Sequence, residues 1–175
     1  MRHYYSTLYW IISTTNPKKI LDVGCGEGIL TAKIKARYSD ITIEGMDVEQ
    51  NIINEAGGLF KGIGFSVGSV YELAKKLNTY DMITCLEVLE HLEYPTRAIK
   101  EMKRATKKYC VFSVPYEPYW RIANIFRGAY LMQLGNTRGH IQHWNKNEFR
   151  KLLKKQFKEV VILRSLLWNF AVCWD

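Results

Sequence analysis

The chain has 175 residues, 47% of them apolar and 24% charged, which suits one folded domain over residues 1–175 and excludes intrinsic disorder. No run of about 18 apolar residues appears, so no spanning membrane segment is expected; the first residues lack a long apolar core and a cleavage site, which reads as mature, cytoplasmic sequence. The net charge of +8 is uneven: residues 1–90 hold nine basic and eleven acidic residues, residues 91–175 sixteen and six, which marks either an anionic partner or solvated helix faces.

The aromatic-rich start, Met1 to Ser13, reads as a helix that lies across a ligand mouth or packs at a sheet edge. An apolar run, Lys18 to Gly24, ends in glycines and reads as the first strand. Gly28 to Tyr38 has helical spacing, and Ile41 to Asp47 alternates as a second strand. A short helix from Asn51, a strand over Gly62 to Gly68, a short helix from Val70 and a strand over Tyr80 to Glu87 follow. A helix over Thr96 to Thr106 and a strand over Lys108 to Pro115 complete a β-α-β-α alternation, which predicts an α/β sandwich with a mostly parallel sheet.

Beyond Pro115 the pattern changes. Ile122, Ile125, Phe126 and Ala129 recur at i, i+3, i+4 and i+7, one stripe of a helix over residues 118–134. A loop follows, then a helix capped by Asn145 or Asn147. The last two runs, Glu159 to Leu167 and Trp168 to Trp174, predict an antiparallel hairpin at the sheet edge. Residues 116–147 read as an insertion over one end of the sheet. In it, Trp120, Phe126, Tyr130 and Met132 are expected to pack, to line an apolar acceptor pocket, or to dock on a membrane surface with Arg121 and Arg127. The four cysteines, Cys25, Cys85, Cys110 and Cys173, form no C-x-x-C pair and read as reduced thiols.

Two features converge on a nucleoside ligand. Asp22-Val23-Gly24-Cys25-Gly26-Glu27-Gly28 joins the first strand to the first crossover helix, where glycines let a ligand approach the backbone. Asp47 ends the second strand, where a carboxylate accepts hydrogen bonds from ribose hydroxyls. The spacing is G-x-G-x-G rather than the G-x-G-x-x-G of dinucleotide sites, so a pyrophosphate is disfavoured.

ILDVGCGEG and GMDVEQ resemble the first two motifs of class I S-adenosylmethionine (SAM)-dependent methyltransferases. YDMITCLEVLEHLEYPTRAIKEMKR is similar to the post-fourth-strand stretch of their small-molecule branch, which includes quinone-biosynthesis O-methyltransferases. The resemblance implies a Rossmann-like, seven-stranded, mostly parallel sheet with an antiparallel last strand, and SAM as cofactor. By it, Asp22, Gly24, Cys25, Gly26 and Gly28 hold the methionine end, and Asp47 the ribose. Val48 flanks the adenine, beside Ser69 and Val70, with Ser69 where the family carries an acid. Cys85, Leu86 and Glu87 lie beside the sulfonium.

Glu87, Glu90 and His91 share a helix face if the stretch after the fourth strand is helical. His140 and His143 close on it from the insertion. One reading makes His91 or His140 the general base, supported by Glu87. The other makes Glu87, Glu90, His91 and His140 ligands of Mg²⁺ or Mn²⁺, a pattern that resembles the metal site of small-RNA 2′-O-methyltransferases. The expected function is methyl transfer from SAM to an oxygen or nitrogen of a small-molecule acceptor. The alternatives are a metal-dependent RNA 2′-O-methyltransferase and a non-catalytic SAM-binding subunit.

Overall fold

Apolar runs that do not alternate make the centre of the sheet. β1 (Lys19–Val23) buries four consecutive residues and β4 (Tyr80–Leu86) buries all but Asp81, as expected for parallel strands covered on both faces. Around them the computed structural model, which describes residues 2–128, 130, 136–137 and 139–175, places the other elements. These are α1 (Arg2–Thr15), α2 (Ile29–Arg37), β2 (Thr42–Asp47), α3 (Gln50–Leu59), β3 (Gly64–Val67), α4 (Pro95–Ala105), β5 (Thr106–Pro115), α5 (Tyr119–Phe126), α6 (Lys146–Lys154), β6 (Glu159–Ser165) and β7 (Trp168–Trp174). 3-10 turns span Val70–Lys76 and Leu89–His91.

The seven strands run in the order β3-β2-β1-β4-β5-β7-β6. All pair in parallel except β7, which is antiparallel to both β5 and β6. This is the Rossmann-like architecture with the edge hairpin read from the sequence. The chain winds outward from β1 to β3, then returns to start β4 on the other side of β1. The reversal puts the β1 and β4 ends side by side, the place where open α/β sheets bind ligands.

Two apolar clusters lie on the two faces of the sheet. α4 and α6 cover one, through Ala98, Ile99, Met102, Ala105, Phe149 and Leu153. α1 and α2 cover the other, through Leu8, Ile11, Ile12 and Ile34. Pro95 starts α4 at the first turn, where its missing N–H costs nothing. A capping box starts α6: Asn145 Oδ1 accepts from the Asn147 and Glu148 N–H groups, and the Asn145 N–H donates to Glu148.

Two expectations change. The helix expected over 118–134 stops at Phe126, where Arg127 and Gly128 turn the chain; Ala129 and Met132 lie outside the described residues. Its stripe faces outward rather than into a pocket or core, with Ile122, Ile125 and Phe126 exposed. The stretch after β4 is not a helix face but a single 3-10 turn, and Glu87 before it has a left-handed backbone (φ 58°).

Candidate functional site

The glycine loop is shaped by close contacts. Gly24 has φ 73°, and a Cβ there would stand 2.3 Å from Val88 Cγ2, so only glycine fits. The Gly24 and Cys25 N–H groups donate to the Met46 carbonyl at 2.7 and 3.1 Å, which ties the loop to the end of β2. Asp47 then accepts from the Gly26 N–H at 2.9 Å and the Glu49 N–H at 3.2 Å. Gly26 has open space where a Cβ would stand, whereas a Cβ on Gly28 would meet the Phe65 ring at 2.6 Å. Gly28 therefore serves packing rather than lining the site. Asp22 is buried, and accepts from Thr31 Oγ1 (2.6 Å) and Thr84 Oγ1 (2.8 Å); burial raises its pKa, and the two hydroxyls oppose that. Burial and the nearby Asp22 and Asp47 carboxylates push the Cys25 thiol up to about 12, so it stays a thiol at neutral pH.

Two cavities meet at Gly24 and Glu87. One, of about 570 Å³, is lined by Asp22, Cys25, Gly26 and Leu86, with Tyr4 and Tyr5 of α1 and Trp168 of β7. The other, of about 430 Å³, is lined by Asp47, Val48, Ser69, Val70, Val88 and His91. α1 therefore does both things expected of it, packing on the sheet and bordering the mouth. Cys85 lines neither cavity, because its side chain is fully buried in the core. Ser69 caps the following 3-10 turn, accepting from the Tyr71 N–H.

The Glu-x-x-Glu-His stretch beyond the end of β4 divides, with Glu87 held apart from Glu90 and His91. Glu87 accepts from Ser113 Oγ at 2.7 Å and from the Trp168 indole N–H at 2.6 Å. Serine's one proton is directed at Glu87, so the Tyr4 hydroxyl, 2.8 Å away, donates to Ser113. Burial raises the Glu87 pKa, and the two donors oppose it. Glu90 is also buried, and neither carboxylate oxygen has a hydrogen-bond partner among the described residues. Its pKa is raised by burial and then by Glu87.

Glu90, His91 and His140 each bring a ligand atom to within 4.8 Å of the other two. The Glu90 carbonyl accepts from the Ile141 and Gln142 N–H groups, which staples the loop carrying His140 onto the turn. His91 Nδ1 lies 2.9 Å from the Gly139 carbonyl, which can only accept. In the neutral ring Nδ1 therefore carries the proton and the lone pair sits on Nε2. Burial, followed by the neighbouring His91 and His143, lowers His140 to about 4, so it is neutral at physiological pH. The four residues expected to form one cluster are thus three plus one. The left-handed turn at Glu87 sends its carboxylate to Ser113 and Trp168, and the cluster among the described residues lacks it. His143 instead bonds Asn136, 2.7 Å away.

A family model described as a methyltransferase domain matches residues 6–156. The chain belongs to the class I SAM-dependent methyltransferases. This methyltransferase is 34% identical to the ubiquinone biosynthesis O-methyltransferase of Coxiella burnetii over 50% of this chain and 38% of that protein. It is 26% identical to the mitochondrial ubiquinone biosynthesis O-methyltransferase of Candida albicans, over 89% of this chain and 54% of that one. The chain thus spans roughly a third to a half of the length of the curated relatives it matches. The methyltransferase domain of bacterial-CtHen1-CN has the same fold, with a TM-score of 0.80 and 22% identity over 99% of this chain and 98% of that one. Magnesium protoporphyrin IX methyltransferase from Synechocystis PCC 6803, solved with bound SAH, matches at a TM-score of 0.67 and 18% identity, over 96% and 80%.

Sequence reasoning missed Ser113 and Trp168, which hold Glu87, and the bond by which Tyr4 reaches Ser113. Ser113 was detectable as the polar residue inside the apolar run over residues 110–115. Nothing local signals Trp168, which lies 81 residues from Glu87.

Proposed function

We propose that the chain transfers a methyl group from SAM to an oxygen or nitrogen of a small-molecule acceptor, with oxygen favoured by the named relatives. The observation that carries this reading is the pair of cavities joined at Gly24 and Glu87, with Asp47 in one and Asp22 in the other. They are sized and lined for a nucleoside and an amino-acid arm, and the space at Gly26 lets a ligand reach the backbone. Asp47 takes the ribose hydroxyls, Val48 packs on the adenine, and Ser69 and Val70 border it. Asp22, Gly24, Cys25 and Gly26 surround the methionine end, and Leu86 and Glu87 face the join.

The sulfonium of SAM supplies the activation when bound, so this chain's residues align the partners and accept a proton. His91 Nε2, left to accept by the Nδ1 contact with the Gly139 carbonyl and carried on a ring that lines the adenine-side cavity, is the acceptor of that proton, and Glu87 helps hold the join. The unpaired cysteines and the lack of a membrane-crossing helix among the described residues fit the cytoplasmic reading.

A second reading rests on the cluster of Glu90, His91 and His140. The orphaned Glu90 oxygens, a neutral His140 and the Nε2 lone pair of His91 fit a divalent cation. With Glu87 turned away, the donors are two imidazoles and one carboxylate, a set better suited to Mn²⁺ than to Mg²⁺. A metal there would acidify a bound hydroxyl and occupy His91 Nε2, so the two readings exclude each other. With the exposed cations of α4 and α6, this favours a metal-dependent RNA 2′-O-methyltransferase.

Transfer of label from radiolabelled SAM into a cell extract, fractionated into RNA, protein, lipid and small molecules, with and without EDTA, separates them. Label in small molecules or lipid that survives EDTA supports the first reading. Label in RNA that is lost with EDTA replaces it with the second. SAM bound with no label transferred points to a non-catalytic subunit.

A further inference from the structure

α5 is amphipathic the wrong way round for a helix packed on a core. Tyr119, Ile122 and Phe126 stand at i, i+3 and i+7 with Ile125 beside them, and these four are 48, 43, 87 and 44% exposed, respectively. Phe126 is the most exposed large apolar side chain among the described residues. The side turned inward buries a polar residue. Asn124 is fully buried, and its amide, like the Trp120 indole, donates to Thr137 Oγ1. Trp120 packs against Trp168 at 5.3 Å, so the helix is seated on the residue that also holds Glu87. A helix that buries an asparagine and shows two isoleucines and a phenylalanine to water has an apolar face that needs a cover.

Charge says which cover. Residues 118–147 contain no aspartate or glutamate. Glu117, just before them, is buried, with Arg121 opposing the rise in its pKa. Arg127 is exposed at the C-terminal end of the stripe, and the Arg164 guanidinium stacks over Tyr116 and Tyr119 at its other end, 4.6 and 5.6 Å from the ring centroids. An apolar stripe with a cation at each end, in a segment (residues 118–147) without a carboxylate, matches a negatively charged bilayer surface, where apolar side chains enter the acyl boundary and guanidinium groups meet phosphates. A nucleic acid would use the cations but has nothing to cover the isoleucines.

We propose that α5 docks this molecule on the surface of an anionic lipid bilayer, with Tyr119, Ile122, Ile125 and Phe126 inserted and Arg127 and Arg164 at the headgroups. The surface goes beyond methyl transfer and does not depend on it. If both hold, the acceptor is an amphiphile presented at that surface.

The test is co-sedimentation of the full chain with vesicles of phosphatidylcholine alone and of phosphatidylcholine with phosphatidylglycerol. The parent is expected to bind the mixed vesicles at least tenfold more tightly, and less tightly as salt is raised. Ile122→Ser with Phe126→Ser is expected to weaken that binding about tenfold or more, and Arg127→Gln several-fold. SAM affinity, read by calorimetry on parent and variants, should not change, which shows that the variants are folded. The proposal is overturned by a parent that binds neither vesicle, or by a double variant that binds as tightly as the parent. It is equally overturned by self-association that needs Ile122 and Phe126, which would make a second copy the cover, or by Phe126-dependent binding of RNA or protein while vesicles are ignored. A parent that binds vesicles but not SAM supports the docking surface and removes the methyl-transfer reading alone.

Discussion

Gly24 shows how little room the site has. A methyl group there must push Val88 aside from 2.3 Å and hold a left-handed backbone, at a cost of about 1–3 kcal/mol. Gly24→Ala is therefore expected to lower Tm and to weaken SAM binding more than tenfold by calorimetry; an unchanged affinity would remove the loop from the cofactor site. Glu90 makes the opposite case. Its folded pKa lies above the ordinary 4.5, so as pH rises past that value the unfolded chain loses a proton that the folded chain keeps. The folded state binds more protons, and stability falls with rising pH. In chelator, the Tm of the parent should decline from about pH 5 towards alkaline pH, whereas Glu90→Gln should flatten that decline and be the more stable protein at pH 8. The same variant should lose any Mn²⁺-induced rise in Tm, because it removes the charged ligand from the cluster. A residue whose replacement stabilises the fold is one kept for chemistry.

At the scale of elements, β7 reaches across the sheet to the end of β4 through one bond, from the Trp168 indole to Glu87. That donor opposes the rise in the Glu87 pKa, so Trp168→Phe should raise it further. If Glu87 ionisation governs activity, the acidic limb of the pH–rate profile should move to higher pH; a limb that stays in place would show that it does not. The α6 capping box is worth about 1 kcal/mol, and Asn145→Ala should lower the urea midpoint accordingly. The strands and helices were legible because unbroken apolar runs for the central strands and a period of 3.6 for the helices are written in the apolar residues themselves. The α6 cap was legible only as Asn145 or Asn147, and the structure chooses Asn145. Two things were not. Spacing shows that α5 has an apolar stripe but not which way it faces, since that depends on Thr137 and Trp168 elsewhere. The Glu-x-x-Glu-His run reads as a helix face, but the bonds of the Glu87 N–H to Ser113 and the left-handed φ that follows belong to β5.

For the whole molecule, the two clusters on either side of one sheet explain why the sequence resemblance and the fold agree so widely. The glycine loop, Asp47 and the Glu87 turn all sit at strand ends, and strand ends are placed by the core. Phe112, fully buried in the cluster under α4 and α6, is central to it. Phe112→Ala should cost about 3–5 kcal/mol in chemical denaturation and reduce the yield of folded protein. The strand order has a further result for synthesis on the ribosome. β7 lies between β5 and β6, and Trp168 is made 81 residues after Glu87. At about 5–20 residues per second, roughly 4–16 s pass in which Glu87, Asp47 and the glycine loop already exist but Glu87 lacks its indole partner. A nascent chain at that point exposes one edge of β5 and half of a carboxylate cage. Cofactor affinity should therefore arrive late in translation, as a step when β7 slots in rather than as a gradual gain.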